Sequence, residues 1–125
     1  MTLSVTQLQS FLISHPATIV AELTAVRGSS PREAGTFMLI SPIAQIGTIG
    51  GGALEYMVID RARQVLRDGL HEDSLDIPLG PEIGQCCGGR VDVALKRVTE
   101  AEAQRLVAKL EAELNARPHV YLFGS

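Results

Sequence analysis

The chain contains no tryptophan, and aromatic residues make up only 4% of its 125 residues. Stacking on nucleic-acid bases therefore has little material. An excess of positive charge is also missing, since 11 Lys and Arg stand against 14 Asp and Glu for a formal net charge of -3. That balance argues against a general nucleic-acid binder, and any anion site has to be built locally. No Lys or Arg precedes Arg27, so the positive n-region of a secretory signal is missing. No charge falls between Ala34 and Leu54, yet Pro42 and the glycines at 35, 47, 50, 51 and 52 cut this stretch into strand-sized pieces. A lipid-exposed helix is not built that way, so no membrane partner is expected and the cytoplasm is the expected compartment. Cysteine is limited to one adjacent pair, Cys86 and Cys87. Neighbouring cysteines bridge only through a strained small ring, which favours free thiols in a reducing compartment.

What is present suffices for one domain: 46% of the residues are hydrophobic and 20% charged, enough to bury a core without staples. Ser4 with Gln7 three residues later forms a capping box, and Leu3 with Leu8 a hydrophobic staple, opening a helix that His15-Pro16 stops. Thr18 to Val26 reads as a buried strand. Thr36 to Ile40 and Gln45 to Ile49 read as a hairpin around Ser41-Pro42. From Ala53 to about Asp68 the pattern is helical, with Leu54, Val58, Ala62, Val65 and Leu66 on one face and Gly69 as the stop. His71 to Ser74 reads as a polar connection, and Leu75 to Leu79 as a short edge strand, because Pro78 lacks a donor. Arg90 to Val98 alternates, with Val91, Val93 and Leu95 on one side. Thr99 and Glu102 open a last helix through about Asn115, with Leu106, Val107, Leu110 and Leu114 as its buried face. Val120 to Gly124 gives a further apolar strand signal after Pro118. The expected fold is α+β: a single domain with a mixed or mostly antiparallel sheet and three main helices, cofactor loops at one edge.

Three loops carry chemistry. Gly47-Thr48-Ile49-Gly50-Gly51-Gly52 sits at a strand-to-helix change, where backbone amides and glycines can receive an anion. The same residues also read as a tight turn with no ligand. It is not a P-loop, since no Lys-Ser/Thr follows and Glu55 stands where a basic residue would be wanted. Arg27 and Arg32 flank Gly28-Ser29-Ser30-Pro31, a set that suits phosphate and equally suits a solvated loop. Gly84-Gln85-Cys86-Cys87-Gly88-Gly89 holds both thiols between glycines, which leaves the sulfurs approachable. Thiolates are reactive and are soft ligands for molybdenum, copper, zinc or iron–sulfur centres. No histidine stands at zinc spacing, so a closed zinc site is not expected. A pair of small buried hydrophobes is the bland alternative. His15, His71 and His119 fall at unrelated places, and no hydrolase triad is evident.

Taken in order, Gly28-Ser29-Ser30-Pro31-Arg32-Glu33-Ala34-Gly35, Gly47 to Glu55, and Leu79-Gly80-Pro81 with Gly84 to Gly89 resemble the xanthine dehydrogenase accessory protein family (XdhC/CoxI). The resemblance implies a chaperone rather than an enzyme. Such a protein binds the molybdenum cofactor (molybdopterin), protects it during sulfuration by a cysteine desulfurase, and inserts it into a xanthine-dehydrogenase-type apoenzyme. Cys87 and Cys86 are then the implied contacts to the metal or its sulfur, with Gln85, Gly88 and Gly89 around them. Gly50, Gly51, Gly52, Ser29, Ser30 and Arg32 are assigned to the phosphate end from their chemistry. A thiol sulfurtransferase carrying a persulfide on Cys86 or Cys87 is the rival reading. The resemblance further implies that residues 1–117 form the cofactor-binding domain and that 118–125 begin a Rossmann-like domain that the chain does not complete. An apolar strand left there is suited to edge pairing in a homodimer.

Overall fold

A computed structural model describes residues 3–27, 33–79 and 89–116. The first helix, α1 (Val5–Ser14), begins as its sequence dictates. Ser4 Oγ accepts from the Gln7 N–H at 3.1 Å, and Gln7 Oε1 accepts from the Ser4 N–H at 2.9 Å, so two orphan donors are satisfied reciprocally. After His15-Pro16 the chain enters β1 (Ile19–Arg27), followed by β2 (Phe37–Ile40), β3 (Gln45–Gly47), α2 (Gly52–Arg67), β4 (Glu72–Pro78), β5 (Arg90–Arg97) and α3 (Glu100–Ala116).

The five strands make one sheet in the order β3-β2-β1-β5-β4. Every neighbouring pair is antiparallel, so the sheet is wholly antiparallel rather than mixed. β1 at the centre pairs along its length with β5, with an irregularity between Leu23 and Ala25.

Helices cover the two faces unequally. α2 lies on one face, where Leu54, Val58, Ala62 and Val65 join Ala21, Leu23, Met38, Val93 and Leu95 in the larger core. Ile59 belongs to that core as well, although the sequence pattern does not single it out. On the other face α1 and α3 pack Leu8, Phe11, Leu106 and Leu110 against Val20, Phe37 and Leu39. Fully burying such a side chain stabilises by roughly 1.5–3 kcal/mol, which is what holds these helices to the sheet.

Two expectations need correction. β4 starts at Glu72, so Glu72 to Ser74 is strand rather than connection. Its polar residues are tolerated because the strand is at the sheet edge, with Glu72 opposite Lys96 and Asp73 paired to Arg61 of α2. Leu114 is 49% exposed and is not part of the buried face of α3. The terminal segment 117–125, including the strand expected at Val120 to Gly124, lies outside the described residues. Among the described residues no helix is long and apolar enough to cross a membrane.

Candidate functional site

The antiparallel order settles where the loops originate. The C-terminal ends of β1, β3 and β4 and the N-terminal ends of β2 and β5 all lie at one end of the sheet. The connections that follow β1, lead from β3 into α2, and join β4 to β5 therefore leave from that end. β1 stands between the other two, about 10 Å from β3 and from β4 at ordinary strand spacing. It also runs past its pairing with β2 at Glu22–Phe37, continuing beside β5 to Arg27. The glycine turn after β3 thus opens beside a protruding β1–β5–β4 tip.

At that tip Arg27, Arg90 and Pro78 share one rung of the register. Beyond it the Leu79 N–H donates to the Gly89 C=O at 2.8 Å, closing the root of the segment that carries the cysteines. Gly89 itself has φ 94°, a left-handed conformation that glycine adopts without strain. Below this root Asp76 faces Asp92 across the strands. Arg90 Nε lies 3.0 Å from Asp76, and Arg27 Nη2 lies 2.6 Å from Asp92. The Arg90 guanidinium on Asp76 holds that carboxyl below its ordinary range. Arg27, weighed in the sequence as one arm of a phosphate clamp or as a surface arginine, is engaged with a carboxylate.

The glycine turn is organised from within. Gly50, Gly51 and Gly52 have φ of 127°, 74° and 69°, conformations that a side chain makes costly. A Cβ on Gly51 or Gly52 would meet nothing within 4 Å, so the turn is open on its outer side. Its inner side is filled by Glu55. One carboxylate oxygen accepts from the Thr48 hydroxyl at 2.6 Å, the Ile49 N–H at 3.0 Å and the Gly51 N–H at 3.1 Å. The Gly50 N–H donates to Thr48 Oγ1 at 3.1 Å. A carboxylate in the first turn of a helix also complements the positive end of its dipole. Charge alone flags Glu55 as out of place beside an anion-binding loop; its geometry shows that it is the loop's own acceptor.

Of the candidate residues, Gly50, Gly51, Gly52 and Gly89 belong to the described structure. Ser29, Ser30, Arg32, Gln85, Cys86, Cys87 and Gly88 lie outside the described residues. Among the described residues no group of three or more His, Cys, Asp or Glu is arranged to hold a metal ion. Two residues that spacing did not mark lie close to the loop that follows β1. Lys109 Nζ of α3 is 3.8 Å from Glu22 Oε2, and it would lie 2.9 Å from a Cβ on Gly35. Gly35 has φ 96° and donates its N–H to the Leu23 C=O at 2.7 Å.

Comparison with known proteins bears on what this end of the sheet serves. Residues 14–75 match the model of the XdhC and CoxI family. No curated protein sequence matches the chain. Among solved structures, one described as a xanthine dehydrogenase from Bacillus halodurans has the same fold, with a TM-score of 0.69 at 24% identity. The likeness covers 88% of this chain and 35% of that one, so the chain spans about a third of that protein's length. The matched residues include β1, the hairpin, the glycine turn with Glu55, and α2, and by them the chain belongs to the XdhC and CoxI family.

Proposed function

We propose that this protein is an accessory factor for a xanthine-dehydrogenase-type molybdoenzyme. It binds the molybdenum cofactor, holds it while a cysteine desulfurase acts on it, and passes it to the apoenzyme. The observation that carries the reading is the convergence of loop roots: in a chain of this family, the ends of the segments bearing Cys86-Cys87, Ser29-Ser30-Arg32 and Gly50-Gly51-Gly52 leave the sheet at one end.

The donor set suits the group. Soft thiolates match the metal end, and hydroxyls with a guanidinium match the phosphate of a pterin. Bound there, the cofactor supplies a metal centre and its sulfur to chemistry carried out by the target enzyme. Cys87 and Cys86 contact the metal or its sulfur, with Gln85, Gly88 and Gly89 giving room for approach. Glu55 refines the phosphate end. Because its carboxylate holds the Ile49 and Gly51 amides, a second anion on those two donors meets like charge. Ser29, Ser30 and Arg32 then bear the phosphate, while Gly51 and Gly52 act through their open outer surface. The role is that of a carrier, with no catalytic residue of its own.

Delivery is the activity to measure. Purified protein loaded with released cofactor is incubated with a cofactor-free xanthine-dehydrogenase-type enzyme, and recovered activity is compared with addition of free cofactor. The expected result is greater recovery with the carrier than without it. Equal recovery would set delivery aside. A mass increment of one sulfur on Cys86 or Cys87, gained from a desulfurase with no pterin retained, would replace the carrier by a persulfide sulfurtransferase.

A further inference from the structure

On the face opposite α2, α1 and α3 leave a groove between them of about 520 Å³. Leu12, Ile13, Ala103 and Val107 give it apolar lining, and Glu100 and Glu111 are its charged lining residues. Ile13 is 82% exposed.

Its charge has one sign. α1 carries no charged residue. The basic residues of α3 within the described chain point elsewhere: Arg105 pairs with Glu22 and Glu102, and Lys109 lies against Glu22. Among the described residues neither Glu100 nor Glu111 has a cation within ion-pair distance. From Glu100 to Glu111 the groove follows α3 for about 17 Å, roughly three helical turns. An apolar channel between two helices is closed most completely by a third helix laid along it.

We propose that this groove docks an amphipathic helix of a partner protein, with an apolar stripe at i, i+3 or i+4, and i+7 and with Lys or Arg along its flanks. The acidic lining residues select basic flanks, while Ile13 and Val107 supply the apolar contact. A second copy of this chain fits less well. In a two-fold arrangement the same groove meets itself, bringing Glu100 and Glu111 against their own counterparts. The inference stands without the molybdenum reading, since it uses none of the loop residues.

The test uses the full chain and a labelled peptide of about 14 residues, long enough for the groove, with leucines at helical spacing and lysine flanks. Its controls are the same leucine pattern with glutamate flanks and a scrambled lysine peptide. By fluorescence anisotropy the lysine-flanked peptide is expected to bind at least about tenfold more tightly than either control. Ile13→Asp, at an exposed position, and the Glu100→Lys/Glu111→Lys double variant are each expected to weaken binding by about fivefold or more. Circular dichroism confirms that the variants remain folded. Equal affinity for the scrambled peptide would reduce the effect to net charge and overturn the proposal. So would binding that ignores all of these substitutions. A concentration-dependent dimer in sedimentation, lost in Ile13→Asp, would assign the groove to a second copy instead.

Discussion

Asp76 lies directly opposite Asp92 in the β4–β5 register. Like charges so placed repel, and the sheet accepts them because Arg90 pairs with Asp76 and Arg27 with Asp92. The two arginines are themselves register partners at the last rung before the loops. The root shared by the cysteine segment and the loop after β1 is therefore a pair of arginines over a pair of aspartates, each aspartate paired with one arginine.

Removing Arg90 exposes that repulsion. Asp76 is held below its ordinary pKa, first by the hydrogen bond from Arg90. A depressed carboxyl contributes stability above its unfolded pKa, and that contribution is lost as pH falls through the lower folded value. Arg90→Gln is expected to lower the urea midpoint at about pH 7 and to have a smaller effect at about pH 3, below the ordinary carboxylate pKa. An equal loss at both pH values would show that the pair is not what the arginine serves.

Glu55 accepts three hydrogen bonds with one oxygen, two of them from backbone amides of the glycine turn. Hydrogen bonds to charged groups contribute about 1.5–3 kcal/mol each, and losses from one shared acceptor do not add. Glu55→Ala is expected to cost about 2–3 kcal/mol in chemical denaturation. Glu55→Gln keeps an acceptor and is expected to cost less. If Glu55→Ala leaves stability unchanged, the carboxylate is not organising the turn.

The glycines are distinguishable by what surrounds them. A Cβ on Gly51 meets open space, so Gly51→Ala carries only the backbone penalty of its φ 74°, ψ -173° conformation, about 1–3 kcal/mol. At Gly47 a Cβ would lie 3.1 Å from the Phe37 carbonyl oxygen and 3.2 Å from Met38 Cα, with φ 85° besides. Gly47→Ala is expected to be the more damaging of the two, by thermal or urea unfolding. The reverse order would contradict the packing of β3 on β2.

Where local chemistry decides an element, the sequence was legible. The Ser4–Gln7 capping box and the alternation of Val91, Val93 and Leu95 both appear in the structure. The start of β4 was not legible, because Glu72-Asp73-Ser74 has no strand pattern of its own. Only pairing with β5 and the Arg61 contact make it a strand. Leu114 continues the helical stripe of α3 but is absent from the core that Leu106 and Leu110 join, and it stays exposed. The site divides similarly. Glycines before α2 announce a special turn, whereas the Thr48–Glu55 bond and the Asp76–Asp92 pairing are tertiary facts that no local pattern encodes.

The most direct test of the proposed role is retention of the cofactor itself. Purified protein is mixed with released molybdopterin cofactor, passed over a gel-filtration column, and assayed for molybdenum and pterin in the protein fraction. Wild type is expected to carry both in comparable amounts, Cys87→Ala and Cys86→Ala each to retain less, and the double variant to retain neither. Full retention by the double variant, or none by wild type, would contradict it.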